Sequence, residues 1–262
     1  MRIAHLTGLI AATLAFSFAH VGFVSAQSGN IEQAIFAESA AKTEQVSTEE
    51  LRHILANKSA IVIDSRPRVQ FEAGHIPGAH VLDGESGDEI AAVERLANGS
   101  KPVALVLYCN GPYCQASRRL ADHLVTAGFT NVRRYQLGMP VWRALGGPTA
   151  IELDGIVRIL KADRTAVFID ARPAEDFAKG SLPGAHNLTV ESLGGTLKQM
   201  MSGKLADPPL PLDDFNRRIV LFGRDGTQVL GLANAMSKRA WTNVSYFPGS
   251  YDELAAALRR KE

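Results

Sequence analysis

Hydrophobic and polar positions follow two alternating periods along most of the chain. Short apolar runs rich in β-branched residues predict buried strands, at residues 61–63, 103–108, 167–169 and 219–222. Helical patterns separate these runs: Ser47 to Glu50 forms a capping-box start, and Ser117 is expected to open a second helix. Strands that alternate with helices pair in parallel through right-handed crossovers. The pattern predicts an α/β fold of small parallel sheets with helices on both faces.

The chain also contains an internal repeat. Residues 64–80 share nine identities with residues 170–186 at a constant offset of 106, beginning with Asp64 and Asp170. The offset grows to 112 further along, where Asn131 matches Asn243. A tandem duplication of two small domains explains this match. The predicted domains are residues 45–148 and 149–262, with the linker near residues 146–154.

Residues 1–26 predict a secretory signal peptide. Arg2 precedes a largely apolar run of 14 residues from Leu6 to Ala19, and Val24-Ser25-Ala26 forms a small-residue cleavage site. A membrane span needs about 20 apolar residues, so we expect no permanent membrane anchor. We therefore expect an exported, periplasmic protein in which residues 27–44 link the signal peptide to the first domain.

Charge and cysteine content narrow the function classes. The 28 Lys and Arg residues balance 27 Asp and Glu residues, which leaves no sequence-wide basic field for a nucleic acid partner. Two cysteines are too few for a disulfide-scaffold protein.

The loop after the strand at 103–108 contains a candidate nucleophile, Cys109. Ligands of open α/β sheets bind at the carboxyl ends of strands, and the following helix presents unpaired N–H groups there. This setting favours a thiolate and bound anions, and Gly111 permits the backbone angles of an N–H nest. A lone cysteine at a strand end is more often a buried apolar side chain. The interpretation of Cys109 as a nucleophile therefore depends on the loop that follows it.

Several motifs make residues 45–260 resemble the rhodanese family of sulfurtransferases. They are D-S-R at 64–66, F-E-A-G-H-I-P-G-A-H at 71–80, L-Y-C at 107–109, and G-F-T-N-V at 128–132 followed by Gly138 and Trp142. The resemblance implies that Cys109 takes a sulfane sulfur from thiosulfate or a similar small anion as a persulfide. A thiol, a cyanide-like molecule or a protein acceptor then removes that sulfur, with no metal and no organic cofactor.

The residues expected to bind the donor surround this cysteine. Arg68, Arg118, Arg119 and Arg143 have no basic counterpart across the repeat and could steer an anion. The predicted substrate-binding residues are Asn110, Gly111, Pro112, Tyr113, Cys114, Gln115, Ala116, Ser117, Arg118, Arg119 and Arg68.

The second domain resembles an inactive rhodanese domain, because Gly223 stands where the first has Cys109. Two-domain rhodaneses usually place the active domain second, so the order here is reversed. We expect the second domain to wall one side of the Cys109 pocket. Residues 190–214 are extra relative to the first domain, and Pro208, Pro209 and Pro211 predict an irregular excursion rather than a helix.

The active loop departs from the family pattern in length and charge. Twelve residues separate Cys109 from Ala121, against ten from Gly223 to Ala233. Rhodanese-like phosphatases and arsenate reductases need Cys-x5-Arg to hold a tetrahedral oxyanion. Gln115 occupies that position, which argues against their chemistry.

Cys114 leaves three interpretations open. It could discharge the Cys109 persulfide as a resolving thiol that forms a disulfide, it could be a bystander, or it could be half of a metal site. The metal interpretation is the weakest, because zinc needs four ligands and the nearest imidazole, His123, lies well down the following helix.

Other polar motif residues have structural interpretations. Asp64 and Arg66 persist as Asp170 and Arg172 in the domain without a nucleophile, so we expect a supporting ion pair. The same reasoning predicts a structural role for His80 and for its counterpart His186. His75 occurs in the first domain alone and is expected at a solvent-exposed helix start.

The leading hypothesis is an exported tandem sulfurtransferase that works through Cys109. A non-catalytic sulfur carrier or interaction module would instead show no steady formation of thiocyanate from thiosulfate and cyanide. A dithiol redox protein using Cys109 and Cys114 would lose its activity in Cys114→Ser.

Overall fold

The structure is a computed structural model that describes residues 43–82 and 88–261. The predicted signal peptide and nearly all of the 27–44 segment lie outside the described residues. Their assignment stays a prediction.

The first lobe is a parallel five-stranded sheet with helices on both faces. Its strands lie in the order β1-β5-β4-β2-β3, and every pair is parallel. The elements are β1 (Glu44–Gln45), α1 (Thr48–Asn57), β2 (Ile61–Asp64), α2 (Arg68–Glu72), β3 (His80–Val81), α3 (Glu89–Leu96), β4 (Leu105–Tyr108), α4 (Ala116–Thr126), β5 (Val132–Tyr135) and α5 (Gly138–Ala144).

The second lobe repeats this arrangement. Its strand order β6-β10-β9-β7-β8 follows the same topology, again with parallel pairing. The predicted fold class and duplication are therefore confirmed. The elements are β6 (Thr149–Ala150), α6 (Leu153–Ala162), β7 (Val167–Asp170), α7 (Ala174–Ala178), β8 (His186–Asn187), α8 (Leu193–Met201), β9 (Ile219–Phe222), α9 (Gly226–Ser237), β10 (Val244–Tyr246) and α10 (Tyr251–Lys261).

The central strand β4 is buried on both faces, as its continuous apolar sequence predicts. Val106 and Tyr108 pack with side chains of α1 and α5, whereas Leu105 and Leu107 pack with those of α3 and α4. Helices therefore pack against both faces of the strand. Its carboxyl end, where Cys109 follows, is held at a fixed edge of the sheet.

Local signals were read correctly at some helix starts and wrongly at others. The Ser47 hydroxyl caps α1 by accepting a hydrogen bond from the Glu50 N–H at 3.1 Å, as predicted. The helix expected to open at Ser117 begins at Ala116, and Ser117 is buried in its first turn.

The 190–214 segment corrects a second expectation, because α8 occupies Leu193–Met201 within it. Leu193 and Met200, seven residues apart, bury one face of this helix against the second core. The prolines at 208–211 follow the helix and leave it intact.

The two lobes are joined by backbone hydrogen bonds. His75 and Ala150 exchange N–H···O=C bonds of 2.9 Å in both directions, and the Glu152 N–H donates to the Glu72 carbonyl oxygen at 2.9 Å. The side chain of Arg158 also pairs with that of Glu72. The segment expected to be a linker thus contributes β6 to the second sheet and contacts the first lobe. Within residues 43–82 and 88–261, no helix has the length and apolar character of a membrane span.

Candidate active site

Cys109 is the first residue after β4, and its loop packs tightly against the segment that follows β5. The Cys109 carbonyl oxygen accepts a hydrogen bond of 3.0 Å from the Met139 N–H. A Cβ at Gly138, which has φ +64°, would overlap this oxygen and the Gly111 nitrogen. Position 138 therefore requires glycine.

The loop turns at Gly111, whose φ is +112°, and the Cys114 N–H donates to the Gly111 carbonyl oxygen at 3.0 Å. Gly111 therefore has a positive φ, as the predicted N–H nest would require, and the nest itself stays a prediction. Asn110 donates through Nδ2 to the Gln70 Oε1 on α2 at 2.8 Å. These two contacts of the loop come from the first lobe. The second lobe packs α6 on α2, the helix that carries Gln70, and its expected role as a wall of the Cys109 pocket stays a prediction.

Cys109 and Cys114 form a disulfide with a Cα–Cα distance of 6.1 Å. Cys109 is 3% exposed in this state. The sequence predicts a reactive thiolate, but neither sulfur can ionise while the disulfide is intact. The structure therefore represents the oxidised form, and reduction has to precede any nucleophilic chemistry.

The helix that follows the loop starts without a side-chain cap. Gln115 occupies the N-cap position of α4, and its side chain makes no capping hydrogen bond to the first turn. In the second lobe, the Asp225 carboxylate caps α9 by accepting hydrogen bonds from the Thr227 and Gln228 N–H groups at 2.9 and 3.0 Å. A carboxylate thus occupies the second lobe's equivalent cradle.

A buried ion pair lies at the carboxyl ends of β2 and β4, where Asp64 pairs with Tyr108. Arg66 donates to Asp64 through Nε at 2.9 Å and Nη2 at 2.6 Å, and Nη2 also donates to the Gly74 carbonyl oxygen at 2.8 Å. The Tyr108 hydroxyl donates to Asp64 at 2.6 Å. Burial, together with the nearby Asp64 charge, raises the pKa of Tyr108 well above its usual range. Tyr108 therefore stays a neutral donor that holds the Asp64 carboxylate at the ends of the two strands.

The second lobe repeats this pair at Asp170 and Arg172, 2.7 Å apart. The hydroxyl of Ser181 donates to Asp170 at 2.7 Å and replaces that of Tyr108. Because the lobe without a nucleophile keeps the same network, the pair supports the fold of each lobe, as the sequence led us to expect.

His75 is buried rather than exposed, which corrects the sequence expectation. It is 5% exposed, stacks on Phe71 at 3.7 Å between ring centroids, and its Nδ1 lies 3.0 Å from the Phe71 carbonyl oxygen. Burial lowers the pKa of His75 to about 4. Its backbone bonds to Ala150 place it at the junction between the lobes.

The candidate arginines are dispersed. Arg143 lies in the lobe junction, and burial, followed by the charges of Arg218 and Arg66, lowers its pKa to about 10. Arg68 lies on α2, half exposed, 3.9 Å from Glu72. Arg118 and Arg119 are in the first turns of α4, where Arg119 is exposed. Of these four, the pair on α4 is nearest in sequence to the disulfide, and Arg143 belongs to the junction.

Two buried polar residues on β5 and just beyond it escaped the sequence analysis. Arg134 is 2% exposed and Gln136 is 3% exposed. The Gln136 amide nitrogen and oxygen both lack a hydrogen-bond partner among the described residues. The sequence signal that could have revealed Arg134 and Gln136 is that these polar residues stand in and just after an otherwise buried strand.

The described part of the chain also lacks a cluster of metal-binding side chains. No group of three or more His, Cys, Asp or Glu side chains there could hold a metal ion. The interpretation of Cys114 as half of a metal site therefore has no support in these ranges.

Comparisons with known proteins agree with the fold. The family model of the Rhodanese-like domain matches residues 47–145 and 156–257. The thiosulfate sulfurtransferase GlpE of Pseudomonas putida (strain GB-1) is 33% identical over 100 residues, which cover 38% of this chain and 84% of that protein. GlpE of Pseudomonas entomophila is 34% identical over 90 residues, covering 34% of this chain and 76% of that protein.

Solved structures give weaker matches. A thiosulfate sulfurtransferase from Pseudomonas aeruginosa is 20% identical, with a TM-score of 0.37, over 82% of this chain and 45% of that one. SseA from Escherichia coli, described as a 3-mercaptopyruvate sulfotransferase, is 18% identical with a TM-score of 0.35 over 80% of this chain and 99% of that one. At these scores the assignment depends on the sequence matches. Because the family model covers most of the chain in two matches, the protein belongs to the rhodanese-like family and carries two of its domains in tandem.

Proposed function

We propose that the protein is an exported sulfurtransferase whose first lobe carries sulfur on Cys109. The single observation that carries this proposal is the contrast between the lobes. The first has a thiol-bearing residue at the uncapped start of α4, whereas the second has Gly223 and a start of α9 filled by Asp225. The partial positive charge of a helix N-terminus stabilises a nearby anionic sulfur. The similarity to GlpE supports thiosulfate as the donor.

The reaction has two steps in the reduced protein. The Cys109 thiolate attacks the outer sulfur of thiosulfate, the S–S bond of thiosulfate breaks, and sulfite leaves with the electron pair. An acceptor thiolate or cyanide then attacks the terminal sulfur of the persulfide, and the Cys109 thiolate is the leaving group. The start of α4, which follows the loop, carries a partial positive charge that favours negative charge in both states.

Mass spectrometry of the intact protein tests the first step. Protein that has been reduced, freed of reductant and incubated with thiosulfate should gain the mass of one sulfur atom, and cyanide should remove it with formation of thiocyanate. Cys109→Ser should gain no sulfur. An unchanged gain in that variant would overturn the assignment of Cys109, and a gain that cyanide cannot discharge would favour a sulfur-carrier role.

The disulfide favours a second candidate function, in which Cys114 takes part in dithiol chemistry. In the persulfide state, the Cys114 thiolate would attack the Cys109 sulfur and release the terminal sulfur as hydrosulfide, leaving the disulfide. An external dithiol would then have to reduce the protein before the next cycle.

Cys114→Ser separates the two candidates. A sulfurtransferase should retain sulfur uptake and transfer to cyanide in this variant, because Cys109 is intact. A dithiol mechanism should lose hydrosulfide release and accumulate the persulfide. Measuring hydrosulfide, thiocyanate and bound sulfur in the same sample distinguishes the two outcomes.

A further inference from the structure

Gln136 has a buried amide that the fold itself does not use. The residue is 3% exposed, and among the described residues neither Nε2 nor Oε1 has a hydrogen-bond partner. Burying an unpaired amide is unfavourable, and native structures rarely leave one unmatched without a reason. An apolar side chain of similar length would fill the same space at lower free energy.

The sheet register places Gln136 and Cys109 at neighbouring positions just beyond two paired strand ends. Parallel pairing of β4 and β5 sets Tyr108 opposite Tyr135, and Cys109 and Gln136 are the residues that follow. Because side chains alternate between faces along a strand, continuing that pattern by one residue past each strand end directs both side chains to the face opposite the two tyrosines. The Met139 N–H bond to the Cys109 carbonyl oxygen keeps the two segments together beyond the strand ends.

The second lobe lacks this amide where it lacks the thiol. Its register sets Tyr246 opposite Leu221, which brings Pro248 opposite Gly223 two residues further along. The buried amide beside the strand end therefore accompanies the cysteine and is missing from the inactive copy.

A second glutamine provides a matched comparison. Gln228 on α9 accepts a hydrogen bond from the Arg224 N–H at 3.0 Å and donates to the Ala171 carbonyl oxygen at 3.0 Å. Its amide supports the local fold, whereas that of Gln136 makes no such bonds.

We propose that Gln136 binds the transferred sulfur: its Nε2 donates a hydrogen bond to the anionic terminal sulfur of the Cys109 persulfide. The inference rests on the function proposed above, and it identifies a residue that would hold the transferred sulfur while that sulfur is anionic. A neutral amide suits this role, because it donates to an anion without adding a charge that would have to be buried with it.

The test compares Gln136→Met with Gln228→Met in reduced protein. Gln136→Met should take up sulfur from thiosulfate about tenfold more slowly, as expected for the loss of a hydrogen bond to a charged group. Its melting temperature should rise, because an unpaired buried amide is removed. Gln228→Met should melt at a lower temperature and take up sulfur at the wild-type rate.

Gln136→Glu adds a readout that a structural role would not change. A carboxylate beside the sulfur repels it, and a protonated carboxyl donates to it. Sulfur uptake by this variant should therefore recover as the pH falls, relative to the wild type. Wild-type uptake in Gln136→Met, or a fall in its melting temperature, would overturn the role of Gln136 alone. Absence of uptake in the wild-type protein would overturn both this inference and the proposed function.

Discussion

His75 is a neutral imidazole held at the contact between the lobes. Burial lowers its pKa from 6.5 to about 4, so between these values the unfolded chain binds a proton that the folded chain does not. The free energy of unfolding should therefore fall as the pH drops from about 6.5 to about 4, by up to about 3 kcal/mol from this residue.

Denaturant titrations across this pH range, with His75→Asn as the control, measure the effect. Asparagine can place its amide N–H near the Phe71 carbonyl oxygen but does not titrate, so its stability should depend less on pH. An equal pH dependence in the two proteins would show that other groups cause the loss.

The polar residues of the site differ in how much the sequence reveals about them. Duplication shows that Asp64 and Arg66 serve the fold, because they recur where no nucleophile exists. It gives no warning about His75, whose burial depends on the other lobe. Gln136 was also missed, because its significance lies in missing hydrogen bonds, which only coordinates can show.

Elements α4 and α9 begin in different ways, since α4 has no side-chain cap whereas Asp225 caps α9. A Cβ at Gly223 would lie 2.8 Å from Val229 Cγ2 and 2.9 Å from Gln228 Oε1. A side chain at position 223 would therefore require the side chains of Val229 and Gln228 to move, and Asp225 already caps α9.

Gly223→Cys should therefore fail to reactivate the second lobe. In a Cys109→Ser background, this variant should take up no sulfur from thiosulfate, and its melting temperature should fall because the added side chain crowds α9. Mass spectrometry and thermal denaturation of the double variant check both expectations. Uptake at position 223 would show that the absence of a thiol was the sole defect of this lobe.

Most elements could be predicted from local pattern, and the failures have identifiable causes. The β4 and β9 runs are short, apolar and bounded, so their burial follows directly from sequence. Helix α8 was missed because the prolines after it dominated the interpretation of the 190–214 segment.

At the scale of the whole molecule, the two lobes pack closely where α6 meets α2. A Cβ on Gly155 would overlap the Glu72 carbonyl oxygen, and this oxygen also accepts the Glu152 N–H bond. The two lobes can approach this closely only while residue 155 lacks a side chain.

Gly155→Ala should separate the lobes locally and lower the free energy of unfolding by about 1–3 kcal/mol. Gly231→Ala is the matched control, since Gly231 is also helical but a Cβ there meets no atom within 4 Å. That variant should be more stable by up to about 1 kcal/mol through helix propensity. Denaturant unfolding of both variants measures the difference, and a loss in both would implicate helix geometry instead of the junction.

The arrangement of the lobes could not be predicted from sequence. The repeat predicts two domains, but the bonds between His75 and Ala150 and from Glu152 to Glu72 join main-chain atoms, which leave no mark in the pattern of side chains. The boundaries at residues 148 and 149 stay predictions.

The reciprocal pair of peptide bonds between His75 and Ala150 has a consequence for how the protein can change over evolutionary time. Every amino acid except proline offers the same main-chain donor and acceptor, so the two bonds themselves set no requirement on residue type, and it is the burial of His75 and Ala150 that restricts which side chains fit. A proline at either position would remove one of the two hydrogen bonds, because proline has no N–H to donate.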